Sequence, residues 1–272
     1  MTNNLRLMCI LAHPDDETLG TGGILAKYAA EGVETYLITA TRGQYGWFGP
    51  PEENPGPTEL GRIRERELRD AANVLGLHEV KILDYIDGYL DQANTAEILD
   101  ILVAEIRRVR PHVIVTFDPF GAYGHPDHIA ISQFSMSAAI AAADANFMPR
   151  VLPHRVDKLY YFVETSHLAE IYQQAFGEIS MDIDGVTRRS VTWPEWSVTT
   201  QVDTSAYYGQ VWAAVDCHRT QVPGYAALQS VPNRDALWST GYLYRAMSYV
   251  NGGREVEDDL FAGIRETQVL DR

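Results

Sequence analysis

Two short segments carry the residues that could do chemistry. The first, His13-Pro14-Asp15-Asp16-Glu17, follows an apolar run over residues 5–12. The second, His125-Pro126-Asp127-His128, follows the run from Val113 to Phe117 and a connecting stretch from Asp118 to Gly124. Zinc takes imidazole and carboxylate ligands, and a catalytic zinc uses three protein ligands while leaving one position for water. A spacing of three between His13 and Asp16 suits two ligands on one turn entering a helix, and the second segment supplies a further histidine by the same device. Asp15 is then free to serve as a general base, the division of roles that metal-assisted hydrolysis uses. Taken singly, each segment has an ordinary alternative. Asp15, Asp16 and Thr18 would cap a helix, His13 would orient a turn, and HPDH would be a proline-containing helix start capped by Asp127. Their joint placement at the carboxyl ends of two strands favours a metal.

The elements that must hold these segments alternate along the chain. Residues 5–12 read as a strand, and Ile24, Leu25 and Tyr28 mark a helix from Thr21 to Glu31 that Gly32 ends. A second strand starts at Glu34; a helix from Glu59 to Leu75, a strand from Val80 to Tyr85 and a helix from Thr95 to Val109 follow. The run Val113 to Phe117, a helix from His128 to about Ala143 and a strand near Leu159 to Val163 complete the series. The expected fold is α/β, a Rossmann-like, mostly parallel sheet with helices on both faces. In such a sheet ligands bind outside the carboxyl ends of the strands, where both segments lie. Beyond residue 165 the pattern becomes a smaller mixed α/β extension over 166–272, packed on the core. No Pro-rich or Ser-rich linker divides the two, so 1–272 reads as a single domain.

One connection stands out. From Arg42 to Thr58, four glycines and four prolines exclude regular structure while Tyr45, Trp47 and Phe48 supply adhesive surface. Loops of this length are often lids or pocket walls; the alternative is a surface loop pinned by its own aromatics. The net charge of −15, with no block of Lys and Arg, gives nucleic acid and anionic membranes nothing to neutralise. A small molecule is therefore the expected partner. No apolar stretch reaches the ~20 residues of a membrane span. The two cysteines, Cys9 and Cys217, read as packing residues of a reduced, cytoplasmic protein. His78, His112, His154 and His167 carry no partner pattern.

On the Glu59 to Leu75 helix, Leu60, Ile63, Leu68, Ala71, Ala72 and Leu75 form one stripe, and Arg64 and Glu67 fall within it. A charge facing the core must be paired or used. Arg64 therefore either pairs with Glu67 or reaches the pocket as a hydroxyl donor. Asp87, after the third strand, lies on the same rim as a hydroxyl acceptor or as a plain turn residue.

The segments AHPDDETLGTGG, TRG (Thr41 to Gly43), GRIREREL (Gly61 to Leu68), GHPDH (Gly124 to His128) and HRTQ (His218 to Gln221) resemble the PIG-L or LmbE family of zinc-dependent N-deacetylases over nearly the whole chain. The resemblance implies one zinc ion per chain on His13, Asp16 and His128, with Asp15 as base. It also implies that His125 stabilises the oxyanion or protonates the leaving amine, and that Tyr123 stands near that oxyanion. It favours Arg64 as a sugar contact, with Asp87 kept as a substrate-binding candidate from its position alone, and removal of acetyl from the amine of a small N-acetylated sugar-like substrate, an N-acetylglucosamine conjugate, as the reaction. Cleavage of a larger thiol-sugar conjugate amide is the alternative. A non-catalytic metal or sugar-binding module is expected only where a ligand or the base has been replaced. His218 belongs to the pattern without a role that chemistry supplies, and self-association into a homo-oligomer is left open.

Overall fold

A computed structural model describes residues 4–183, 185–232, 234–250 and 255–265. The two ends of the 1–272 range lie outside them. The apolar run near the N-terminus forms β1 (Arg6–Leu11), followed by a single turn α1 (Asp16–Leu19), α2 (Gly22–Ala30) and β2 (Glu34–Thr41). Leu7 to Leu11 are all buried, as expected of a central strand covered on both faces. Next come α3 (Pro57–Leu75), β3 (Glu79–Tyr85), α4 (Thr95–Val109) and β4 (Val113–Thr116). A distorted turn α5 (Gly121–Gly124) leads into α6 (Pro126–Ala143) and β5 (Lys158–Phe162). Helix α3 opens on Pro57, whose missing N–H costs nothing in a first turn, and closes on Gly76 at a positive φ of 77°. Asn94 caps α4 by accepting from the Ala96 and Glu97 amides.

With β8 (Thr200–Asp203) and β9 (Thr240–Ser248) from later in the chain, the central sheet of the described residues has seven strands in the order β3-β2-β1-β4-β5-β9-β8, and the first five run parallel. From β1 the chain steps outward through β2 to β3 and then returns to the other side of β1 as β4. The crevice where the direction reverses lies between the carboxyl ends of β1 and β4, and the two histidine-bearing segments leave the sheet there.

The rest comprises α7 (Ser166–Phe176), the hairpin β6 (Ser180–Ile183) and β7 (Val186–Arg189), β8 (Thr200–Asp203), α8 (Tyr208–Val215), the single turns α9 (Val222–Tyr225) and α10 (Ala236–Ser239), and β9 (Thr240–Ser248). This part does more than pack on the core. Strand β9 pairs antiparallel with β5 and carries β8 on its far side, so the tail extends the same sheet by two strands. Buried Lys158 on β5 reaches Glu257 at 2.7 Å, which ties the end of the described chain back to the sheet. Helix α6 starts two residues before the expected His128 because Pro126 fits its first turn and the His125 ring caps it.

Candidate active site

At the end of β1 the chain turns sharply, and Asp15 takes a φ of 109°, a conformation that residues with a side chain rarely adopt. The turn aims His13, Asp15 and Asp16 into the crevice. His13 Nδ1 lies 3.1 Å from His128 Nε2. Asp16 Oδ2 is 3.7 Å from His13 Nδ1, and Asp16 Oδ1 is 3.5 Å from His128 Nε2. Zinc bonds of about 2.0–2.1 Å in a tetrahedron separate ligand atoms by roughly 3.3 Å, a spacing the two histidines match and Asp16 approaches with a different oxygen toward each. Asp16 is fixed by the Ala12 and His13 amides at 3.1 and 2.7 Å, and His128 is stacked on Phe117 with ring centroids 3.9 Å apart.

The field at this point calls for a cation. Burial opposes a charge on His13, yet the carboxylates of Asp127, Asp87 and Asp16 outweigh it and push the imidazole up to about 10. A divalent ion on Nδ1 satisfies the same field. The second nitrogen of His13 is held from behind: Nε2 lies 3.0 Å from Asp127 and 3.1 Å from Asp87. Asp127, fully buried, also accepts from the Gly88 and Leu90 amides at 2.7 and 2.9 Å. Burial pushes the Asp87 carboxyl up, but its bond to His13 and the charge there prevail and hold it below the ordinary carboxylate range. Among the described residues, the groupings whose candidate ligand atoms all lie within 4.8 Å of one another are His13 with His125 and His128, and His13 with Asp87 and Asp127; neither includes Asp16. In the first, His125 Nδ1 already accepts the Asp127 amide at 3.1 Å; in the second, the carboxylates occupy His13 Nε2.

Asp15 is the most heavily braced residue of the site. Its Oδ2 receives Arg64 at 3.2 Å and the Tyr225 hydroxyl in a short hydrogen bond, while Oδ1 has no protein partner among the described residues. Its backbone amide donates to Glu17 at 2.9 Å. Glu17 in turn accepts from His218 Nε2 at 2.6 Å, and both of these side chains are completely buried. Burial lowers the affinity of His218 for a proton, but the Glu17 carboxylate more than compensates and raises it above its usual value.

Arg64 does not pair with Glu67, which accepts instead from the Thr220 amide and hydroxyl at 2.9 and 2.7 Å. Its side chain lines the cavity, with Nη1 and Nη2 donating to Gly43 O at 2.7 Å, Pro14 O at 2.5 Å and Asp15, while Nε is buried without a partner among the described residues. It passes between Gly43 and Gly46, where an added Cβ would stand 2.3 and 2.4 Å from its Nη1. Asp87 likewise faces His13 and the Tyr45 amide, at 3.0 Å, rather than an open rim. The 42–58 loop is a wall: besides those bonds, Gly46 O accepts from Gln221 at 2.8 Å and Phe48 rests on Gly224.

The His125 ring stacks on His128 with centroids 4.7 Å apart. Burial, and then the neighbouring His13, lowers it to about 4. Its Nδ1 is an acceptor, so the proton of the neutral ring sits on Nε2 and makes it a donor. Tyr123 meets the His128 ring edge-on at 5.5 Å, and burial, with Asp16 next, raises its phenol. His13, Asp15, Asp16, Arg64, Asp87, Tyr123, His125, His128 and Tyr225 line one cavity of about 750 Å³, and Glu17, Asp127 and His218 stand behind it.

Sequence reasoning brought together His13, Asp15, Asp16, His125 and His128, but it missed four groups. Asp127 was visible only as a cap, and Glu17 only as part of a motif. His218 was visible without a function, and Tyr225 gave no signal, since it lies 210 positions from Asp15 on a four-residue turn.

Residues 8–139 match the PIG-L family model, described as GlcNAc-PI de-N-acetylase. The chain is 35% identical over 246 residues to the 1D-myo-inositol 2-acetamido-2-deoxy-alpha-D-glucopyranoside deacetylase of Thermobifida fusca, covering 81% of this chain and 84% of that protein. It is 34% identical to the protein of the same name from Geodermatophilus obscurus, with 97% and 99% covered. Among solved structures it is similar to a conserved Thermus thermophilus protein (TM-score 0.64, 26% identity, 91% and 97% covered). The N,N'-diacetylchitobiose deacetylase of Pyrococcus horikoshii shares the fold (TM-score 0.67, 20% identity, 89% and 84% covered). With relatives matched along most of both chains and the histidine–aspartate site in the expected crevice, the chain belongs to the PIG-L family of de-N-acetylases.

Proposed function

We propose that this enzyme hydrolyses the acetamido group of a small N-acetylglucosamine conjugate, releasing acetate and a free amine. The observation that carries the reading is the braced Asp15 carboxylate beside the converging His13, Asp16 and His128 atoms. Those three side chains would hold one zinc ion, which when bound supplies Lewis-acid polarisation and lowers the pKa of water toward ~7.

Asp15 Oδ1, without a protein partner, takes the proton of the attacking water, while Oδ2 stays fixed by Arg64 and Tyr225. As the water oxygen bonds to the acetyl carbon, negative charge gathers on the former carbonyl oxygen, and the His125 Nε2–H is the donor aimed at it. Tyr123 closes that side. The carbon–nitrogen bond then breaks, and Asp15 returns its proton to the leaving nitrogen. Asp87 and Asp127 orient His13, and Arg64 and Tyr225 orient Asp15, so all four are positioning residues.

The tail completes the sheet, which supports treating 1–272 as a single domain. Among the described residues no helix is long and apolar enough to cross a membrane. Both cysteines are free, which supports a reducing, cytoplasmic setting. The test is release of free amine and acetate from an N-acetylglucosaminide by protein of measured zinc content. Asp15→Ala should keep the zinc and lose most turnover, and His13→Ala should lose both. Unchanged turnover by Asp15→Ala removes the base assignment.

A further inference from the structure

The cavity has a second character beyond the histidines. Phe117, on which His128 is stacked, touches Phe162 with ring centroids 4.7 Å apart, and from there the wall is built by Leu168, Tyr172, Phe176 and Trp238. The Phe162 ring lies so close over Gly20 that a Cβ there would meet it at 2.7 Å. The apolar wall is thus continuous with the metal-side chemistry. At about 750 Å³ the cavity falls in the upper part of the roughly 300–1,000 Å³ range that takes a whole ligand rather than a single acetamido group.

The charges of this cavity also discriminate. Among the described residues Arg64 is the sole Lys or Arg lining it; its Nη1 and Nη2 donate to Gly43, Pro14 and Asp15, and its Nε is buried out of reach of solvent. Glu178 is paired with Arg189 at 2.6 Å, and Asp118 accepts from Trp193 at 2.6 Å. Glu164, two residues beyond β5, lines the same cavity; its backbone oxygen accepts from the Trp193 amide at 2.8 Å, and its carboxyl group has no hydrogen-bond or ion-pair partner among the described residues. A phosphate brought here would find no cation and an unpartnered carboxyl group, an arrangement that disfavours it.

We propose that this lobe is the subsite for the group attached to the sugar, and that the group is apolar, ring-sized and free of phosphate, with a hydrogen-bond donor facing Glu164. The proposal rests on the site being an N-acetylglucosaminide deacetylase, and it differs from a polyol or phospholipid aglycone. Burial raises the Glu164 carboxyl to about 7, with Asp118 adding to the effect, so a donor or a cation opposite it is the natural complement.

The test uses zinc-loaded protein and two readouts. Calorimetric titration compares the deacetylated products phenyl glucosaminide, methyl glucosaminide and glucosamine 1-phosphate. Burial of one ring should make the phenyl compound bind roughly 10- to 100-fold more tightly than the methyl one, and the phosphate should bind more weakly than either. Phe176→Asp, at a partly exposed position of the lining, should cut the phenyl-to-methyl ratio at least about threefold. In Glu164→Gln the phosphate should recover relative to methyl. Equal affinities for phenyl and methyl, or tightest binding of the phosphate, overturn the proposal. Acetate release from the corresponding N-acetyl compounds is followed separately. Phenyl preference without acetate release supports the subsite and removes the deacetylase reading, whereas acetate release without preference does the reverse.

Discussion

The brace behind Asp15 allows one perturbation to be worked through in numbers. His218→Ala removes the Nε2 donor that lies 2.6 Å from Glu17, leaving a fully buried carboxylate without its ionic partner. Breaking a buried pair by removing one member costs about 3–5 kcal/mol, and water entering the vacated imidazole space brings the figure toward the lower end. About 3 kcal/mol in a chain of this size lowers the melting temperature by roughly 5–10 °C. Glu17 also accepts the Asp15 amide and so helps hold that residue at a φ of 109°, a strain of about 1–3 kcal/mol that the surroundings must maintain. Released, the base shifts, and a displacement of about 1 Å costs on the order of 100-fold in kcat. Thermal melts and steady-state kinetics on His218→Ala and His218→Gln check both effects. The glutamine amide can still donate toward Glu17, so that variant should recover a measurable part of each loss. A His218→Ala protein that melts within about 1 °C of the parent and turns over at the same rate would falsify the brace.

Three further outcomes follow from the same geometry. Asp127→Ala removes one of the two carboxylates behind His13 Nε2, and metal affinity measured by competition with a chelator should fall about 10- to 100-fold. Gly43→Ala places a methyl 2.3 Å from Arg64 Nη1 at a φ of +60°, so the variant should lose both stability, by about 2 kcal/mol or more, and turnover, in parallel melts and assays. His112, far from the site, accepts the Arg6 amide at 3.1 Å, and burial, with His154 next, lowers it to about 4. That value lies below the roughly 6.5 of an unfolded chain, so its contribution is complete above pH 6.5 and is lost as pH falls toward 4. Urea unfolding at pH 7.5 and pH 4.5 should show His112→Gln losing about 2 kcal/mol less than the parent, and equal losses would remove His112 as the cause.

The sheet and the metal-side triad were legible because each has a local signal. Runs such as Leu7 to Leu11 read as buried strands from composition alone, and His13, Asp16 and His128 sit at short spacings on two strand ends. The supporting residues were not, for a physical reason. Tyr225, His218 and Glu67 make contacts spanning 150 to 210 positions, and nothing in spacing says which distant side chain meets which. Arg64 was recognisable as a charge on an apolar stripe, but its target depended on where the glycine loop lay. Asp87 read as a hydroxyl acceptor or a turn residue, and Asp127 as a cap. Their carboxylates serve backbone amides and His13 together, so a capping or turn role and a role at the site are not exclusive. The addition of β8 and β9 to the central sheet was hidden because antiparallel edge pairing leaves no mark that separates it from a packed-on extension.

The passage of Arg64 between Gly43 and Gly46 has a bearing on Asp15 as well as on the loop. The loop that walls the cavity and the side chain that steadies the base share one hydrogen bond, Arg64 to Gly43, and the same loop is fastened at Gly46 to Gln221 of the HRTQ segment. The bond that holds this wall and the bond that holds Asp15 thus come from one guanidinium. Wall and carboxylate are therefore fastened as one piece, so a substitution that displaces the loop is felt at Asp15 through Arg64.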